Sequence, residues 1–303
     1  MLFYRSSAFH FPRIWVVLGF SVVGLLFVGQ QGHAQRAGRE QPPKFMERID
    51  REEGARRLAD FRQQRLRGDY WFRFELEHKP RRARTIRYQG QLWGSWDASG
   101  PVTRLRVQPS GDAGEGSLAG VELLVRNGRE PAAWRRGQAD STFEPVVGNE
   151  IFEPILPGLL YSIFDFQMPF IYWDDFIYEG PELAGATRIV QQFLMLAPDG
   201  SASAARGIKG VRVGVDDTYN ALLRIEVINT DDAVVSKFAV ESFKEVQGQY
   251  IVKRITLTDY PSKDRTTFEV ESAEVDLDLS RDYFEPTVMD ALNTWVPTNA
   301  EAL

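Results

Sequence analysis

From Gly68 onward the chain alternates between apolar and polar positions. Over residues 69–77, Tyr70, Phe72, Phe74 and Leu76 share one parity, and Trp71, Arg73, Glu75 and Glu77 share the other. The next run, residues 84–96, puts Ile86, Tyr88, Leu92 and Trp96 on one face and Thr85, Arg87, Gln89 and Gln91 on the opposite one. Gly90 and Gly94 fall on the apolar face, where missing side-chain volume lets a sheet bend or a ligand approach. Shorter strands are predicted over 102–107 and 121–126. After Thr187 the alternation resumes over 188–196, 211–215, 222–228, 234–245, 250–259 and 266–279. The links are short and rich in turn formers, among them Asp199-Gly200, Asp216-Asp217 and Gln247-Gly248. Consecutive strands so joined form an antiparallel meander, because parallel pairing would need long crossovers. The apolar parity of the last strand flips between Val270 and Val275, which predicts a β-bulge near Ser272-Ala273.

Three segments depart from this period. Residues 44–65 place Phe45, Ile49, Leu58 and Phe61 near one helical face, with Gly68 as the stop. Residues 143–182 are dense in aromatics, and Pro154, Pro157 and Pro169 forbid one long helix. Short helical turns are predicted there over 151–161 and 169–176. Residues 286–295 read as a short closing helix over an edge or end of the sheet.

The N-terminus has the form of a secretory signal. Arg5 and Arg13 precede an apolar run over 14–29, and Gly32-His33-Ala34 offers small residues for cleavage after Ala34. The run is short of the roughly 20 apolar residues of a membrane span. The expected layout is therefore a signal over 1–34, a polar leader over 35–43, and one domain over 44–303, working in the periplasm. A formal net charge of -6 argues against a general affinity for nucleic acid. With no cysteine, the chain has no thiolate nucleophile, no disulfide and no attachment point for a lipoprotein's acyl groups.

The remaining chemistry is sparse, and neither a catalytic centre, a cofactor nor a metal is expected. Beyond the signal only His78 remains, which rules out histidine clusters and weakens a Ser-His-acid scheme; its place beside Lys79-Pro80 predicts a solvated hairpin end. Gly114-Glu115-Gly116-Ser117-Leu118-Ala119 fits a dinucleotide fingerprint but sits in a loop before a strand, the wrong context. Asp174-Asp175, among aromatics, is the one acidic pair placed to act as acid and base, and a surface role outweighs it. Lys79, Arg81, Arg82, Arg84 and Arg87 crowd the first hairpin, either as a solvated loop or as a contact for anionic headgroups or a partner protein. The proline-broken aromatic stretch is either plain core or a lid over an apolar cavity.

Several stretches carry a family likeness. Val211-Arg212-Val213-Gly214-Val215-Asp216 leads into Tyr219-Asn220-Ala221-Leu222-Leu223-Arg224-Ile225-Glu226-Val227. Phe243-Lys244-Glu245-Val246-Gln247-Gly248-Gln249-Tyr250-Ile251 forms a hairpin signature, and Tyr283-Phe284-Glu285-Pro286 a closing one. With the order of elements, these resemble the outer-membrane lipoprotein-sorting proteins of LolA-like fold. The resemblance implies an α+β, mostly antiparallel chain: a single curved sheet forming an incomplete β-barrel, with helices plugging or covering its concave face. It also implies a non-catalytic periplasmic carrier of lipoprotein acyl chains or lipid, with transient membrane contact. No lid-latching arginine of that family aligns to a position here. The expected cavity residues are Tyr70, Phe72, Phe74, Ile86, Tyr88, Leu92 and Trp96 on the strands and Phe164, Phe166, Phe170 and Trp173 on the lid. The alternative is an envelope sensor or assembly factor that binds a protein partner.

Overall fold

A computed structural model of the chain describes residues 48–110, 120–137, 142–184, 188–216, 218–288, 295 and 297–303. The expected signal, leader and fingerprint loop lie outside these residues, as does most of the expected closing helix. Among the described residues no helix is long and apolar enough to cross a membrane.

Helix α1 (Arg51–Arg62) is capped by Asp50, whose side chain accepts from the Glu53 backbone N–H. Glu53 in its first turn takes ion pairs from Arg56 and Arg57, which hold its carboxyl down at about 2. The helix buries Leu58 and Phe61, and Gly54 lets it settle closely on Phe193.

The sheet starts in its own middle. Strand β1 (Asp69–Lys79) is followed outward by β2 (Ile86–Asp97), β3 (Gly100–Pro109), β4 (Val121–Arg126), β5 (Ala132–Arg136) and the two-residue β6 (Glu144–Pro145). The chain then crosses to the opposite edge through the aromatic segment, which contains the short helix α2 (Ile163–Gln167). It returns strand by strand through β7 (Phe176–Ala184), β8 (Arg188–Leu196), the one-turn helix α3 (Ala202–Ala205), β9 (Ile208–Asp216), β10 (Leu222–Asn229), β11 (Val234–Val246), β12 (Gln249–Asp259) and β13 (Arg265–Leu277). β13 pairs with β1, and the short β14 (Glu301–Ala302) pairs with β13. The result is one antiparallel sheet of 14 strands, curved but not closed, with β6 and β7 at its free edges.

The alternation places the elements as expected along most of this sheet. Several differences are instructive. β7 lies inside the segment read as irregular, and β5, β6 and α3 are additional; all are short or interrupted, as at Gly180-Pro181. The helical turns fall at 148–152, 163–167 and 169–172. Ser162 sets the middle one, since its side chain caps the Asp165 N–H while the Asp165 carboxylate accepts from the Ser162 N–H. The β13 irregularity is centred on Glu271, where Arg73 opposes Ser272 and Phe74 already opposes Val270. His78 is not a solvated turn residue: β1 continues through it, so it points inward, buried, with Nδ1 2.8 Å from the Thr266 hydroxyl, and burial lowers its pKa.

The two faces of the sheet carry separate cores. Tyr70, Phe72, Phe74 and Leu76 enter a large inner core with β8–β13, α1 and the aromatic segment. On the outer face, Trp71, Trp93, Val102 and Leu124 make a smaller cluster. It is covered by Phe143, Leu279 and Phe284, and Trp295 stacks 6.0 Å from Trp71. Residues 279–284 and Trp295 therefore pack on the outer face of the sheet, while β14 adds to β13 within the sheet and Leu303 packs against the inner core.

The space left open by Gly90 and Gly94 is taken by side chains of the neighbouring strand. Each lies opposite a large inward ring, Gly90 facing Phe74 and Gly94 facing Tyr70, and the rings lie over the glycines. A β-carbon at either position would collide with the ring. Gly94→Ala is expected to destabilise the fold by about 1–3 kcal/mol through overpacking, read as a lower urea midpoint; an unchanged midpoint would mean that Tyr70 has room to move.

Candidate functional site

The concave face of the sheet is an apolar wall, and the aromatic segment fills it. Tyr70, Phe72, Phe74, Tyr88 and Leu92 line β1 and β2 and are all buried in the inner core. Phe74 meets Phe268 of β13 with ring centres 4.6 Å apart. Against this wall the segment inserts Tyr161, Phe164, Phe166, Phe170 and Trp173, all buried. Their rings form two groups: Tyr161 on Phe166 at 5.1 Å and on Phe238 of β11 at 5.7 Å, and Phe164 on Phe170 at 5.7 Å with Phe170 edge-on to Trp173 at 6.3 Å.

Nine of the eleven predicted cavity residues thus share one interior. The other two stand at its rim. Ile86 has the inward parity, but at the first position of β2 it is 38% exposed. Trp96, near the far end of the same strand, is half-buried and lines a mouth of about 550 Å³ with Ala59, Arg62, Arg129 and Tyr172. A second cleft, of about 300 Å³, lies toward the free edges of the sheet. Ala133, Val146 and Val147 form one side of it, Ser201–Ser203 the other, and Trp173 is among its lining residues.

Side-chain hydrogen bonds to backbone carbonyls tether the plug at several points. Arg62 of α1 donates from Nε to the Ile171 carbonyl at 2.6 Å and from Nη2 to the Trp173 carbonyl at 2.7 Å. Tyr88 donates to the Pro157 carbonyl at 2.7 Å, Arg135 to that of Ile155 at 2.9 Å, and Gln167 to that of Arg126 at 3.0 Å. Sequence reasoning missed Arg62, because an arginine on the polar face of an amphipathic helix carries no mark of its partner.

Two polar groups are carried into the interior by the plug itself. The Tyr161 hydroxyl is buried and finds no hydrogen-bond partner among the described residues, and burial drives its pKa well up. The Asp165 carboxyl accepts from the Ser162 N–H and hydroxyl at 2.8 and 2.7 Å, yet burial raises it to about 6. Asp174 and Asp175, the pair weighed for catalysis, are exposed in the link to β7. Among the described residues no group of three or more metal-ligating side chains occurs.

An open antiparallel barrel whose concave face is stopped by an insert between its edge strands defines the LolA-like fold, and this chain has it. Three solved structures share it. A DUF1329 family protein from Desulfovibrio piger superposes with a TM-score of 0.65 at 14% identity, covering 78% of this chain and 98% of its own. An outer membrane lipoprotein-sorting protein domain from Vibrio parahaemolyticus gives 0.61 at 13%, covering 73% and 91%. A LolA superfamily protein from Nitrosomonas europaea gives 0.55 at 12%, covering 78% and 98%. A family model described as an uncharacterized protein matches residues 204–291, the stretch of the meander that carried the likeness in sequence. No curated protein matches the chain.

Proposed function

We propose that this protein is a non-catalytic periplasmic carrier that holds a lipoprotein acyl chain or a lipid against its concave face, with the aromatic segment as a displaceable plug. The observation that carries this reading is the plug's construction. It is one continuous segment joining the two free edges of the sheet, and it fills the concave face with apolar side chains rather than with a regular sheet or long helix. When it moves aside, it leaves a wall of Tyr70, Phe72, Phe74, Tyr88 and Leu92. An alkyl chain laid there gains about 0.8 kcal/mol per buried CH₂. The plug's own buried hydroxyl and carboxyl reduce the stability of the closed state, because poorly satisfied buried polar groups are costly. The names of the Vibrio and Nitrosomonas structures agree with this role.

The test is lipid analysis of protein purified without detergent, together with uptake of a fluorescent fatty acid. Arg62→Ala removes two tethers of the plug, so it is expected to speed hydrogen exchange over 163–173 by about 10- to 100-fold and to accelerate fatty-acid exchange. Protein recovered empty, with no uptake even by an Arg62→Ala variant whose plug exchanges freely, would overturn the carrier. A second reading, an envelope sensor or assembly factor, is favoured by the edge strand β7, which leaves Ile177 and Leu183 half exposed for a partner. Crosslinking in cells separates the two, since a sensor would capture one stable protein.

A further inference from the structure

The basic cluster of the first hairpin remains unused by the interior. β1 and β2 are joined by residues 80–85, closed by the pairs Glu77 with Arg87 and His78 with Ile86. Glu77 pairs with the two cations nearest the strands, Lys79 and Arg87, and Glu75 is a further partner of Arg87. Arg81, Arg82 and Arg84, farther out, are exposed and make no ion pair among the described residues. The β12–β13 hairpin lies alongside, pinned by the Arg81 backbone N–H donating to Asp264 at 2.8 Å. It adds exposed Lys263, whose ammonium sits 5.0 Å from the Tyr260 ring centre, and exposed Arg265.

These two neighbouring hairpins therefore present five outer cations, opposed locally by Asp264 and Asp259. The chain as a whole carries -6, so the cluster runs against its overall sign. The next hairpin across the sheet, between β10 and β11, carries Asp231 and Asp232, the latter paired to Lys209. Apolar surface accompanies the charge: Ile86 is 38% and Tyr260 37% exposed. The plug reaches the same end, where Pro157 and Gly158 are exposed beside Ile86 and the Pro157 carbonyl accepts from the Tyr88 hydroxyl.

We propose that this end of the barrel docks on an anionic bilayer surface, with Arg81, Arg82, Arg84, Lys263 and Arg265 on the headgroups and Ile86 and Tyr260 at the interface. A lipid surface fits better than a folded acidic partner. The cations are long, exposed and spread over two turns, and aromatic and aliphatic side chains mingle with them as at a membrane interface. Docked so, the Pro157-Gly158 stretch of the plug would lie against the membrane, where an acyl guest would leave or enter. The proposal deepens the carrier reading but is tested apart from it.

The experiment is co-sedimentation of the full protein with phosphatidylcholine vesicles and with equimolar phosphatidylcholine and phosphatidylglycerol vesicles. The wild type and an Arg81→Ser, Arg82→Ser, Arg84→Ser variant share the same N-terminus, so the hairpin is the only difference. Each basic residue near an anionic surface is worth about fivefold in partitioning, so the triple variant is expected to bind the anionic vesicles about a hundredfold more weakly. Wild-type binding should also fall steeply between about 0.1 and about 1 M salt, as the screening length shrinks from about 10 to about 3 Å. Equal binding by the two proteins, or equal binding to both vesicle types, would overturn the docking end. Loss of docking with bound lipid still found in the purified protein would leave the carrier standing; empty protein that still docks would remove the carrier alone. Thermal melting of the variant should match the wild type, because the three side chains are exposed.

Discussion

Glu122→Ala is expected to destabilise the protein by about 3–5 kcal/mol, the largest single-residue effect in the sheet outside its aromatic core. Glu122 of β4 is buried on the outer face between Arg104, fully buried, and Arg136, 3% exposed, with the partly exposed Arg106 as a third partner at 3.2 Å. The guanidinium groups of Arg104 and Arg136 lie 5.2 and 4.7 Å from the ring centre of Phe143, and Arg104 also donates to the Tyr283 carbonyl. These contacts fasten β3, β4 and β5 to the C-terminal segment around one carboxylate. Removing it leaves two cations in a site built for an ion pair. Glu122→Gln, which keeps an acceptor but loses the charge, should fall between wild type and alanine. Urea denaturation reads both. A loss below about 1 kcal/mol for the alanine would mean that water replaces the carboxylate, as it does for exposed pairs. Because the cluster lies on the face opposite the plug, fatty-acid uptake by the folded variant should be unchanged.

The second large effect is a pH dependence seated in the plug. Asp165 titrates at about 6 in the folded chain and near 3.8 when exposed, because burial disfavours its charge. The sign follows from proton binding: between these values the folded state holds the proton and the unfolded state does not, so stability falls as pH rises. The contribution is fully present below about 4 and lost as pH climbs through about 6. The shift corresponds to about 3 kcal/mol. Asp165→Asn keeps an acceptor for the Ser162 N–H and cannot ionise. It is therefore expected to flatten this part of the stability profile and to be more stable than wild type near neutrality. Denaturation midpoints across that pH range, for both proteins, provide the check; parallel profiles would place the pH dependence elsewhere. Since Asp165 sits in α2, the carboxylate form also favours opening of the plug, visible as hydrogen exchange over 163–167 that rises with pH beyond the intrinsic rate.

The meander was legible because its strands are long, half-buried and separated by turn residues, so parity alone assigns Tyr70, Phe72 and Phe74 to one side. Parity does not say where a strand leaves the interior. That is why Ile86 and Trp96, correct in phase, stand at the two ends of β2 outside the packed core. Parity also does not say what occupies a glycine's gap: the gap on one strand is filled by a ring on the next, and only the register Phe74–Gly90 and Tyr70–Gly94 reveals it. β7 was hidden because Gly180-Pro181 and dense aromatics mask its alternation. Within the plug, Ser162 three residues before Asp165 was a readable cap signal, whereas the tethers to Ile171 and Trp173 join residues more than a hundred positions apart and leave no local trace.

The order of the sheet has a consequence for how the molecule is made. β1 is the first strand synthesised, yet one of its two neighbours is β13, so that Arg73 and Ser272 are 199 residues apart. Until the final strand emerges, the nascent chain exposes a greasy half-sheet with an unpaired seam at its centre, the state most open to aggregation. Truncation anywhere before Arg265 removes that partner strand, so shortened chains should collapse without a native fold. High contact order of this kind also predicts maturation in milliseconds to seconds rather than microseconds.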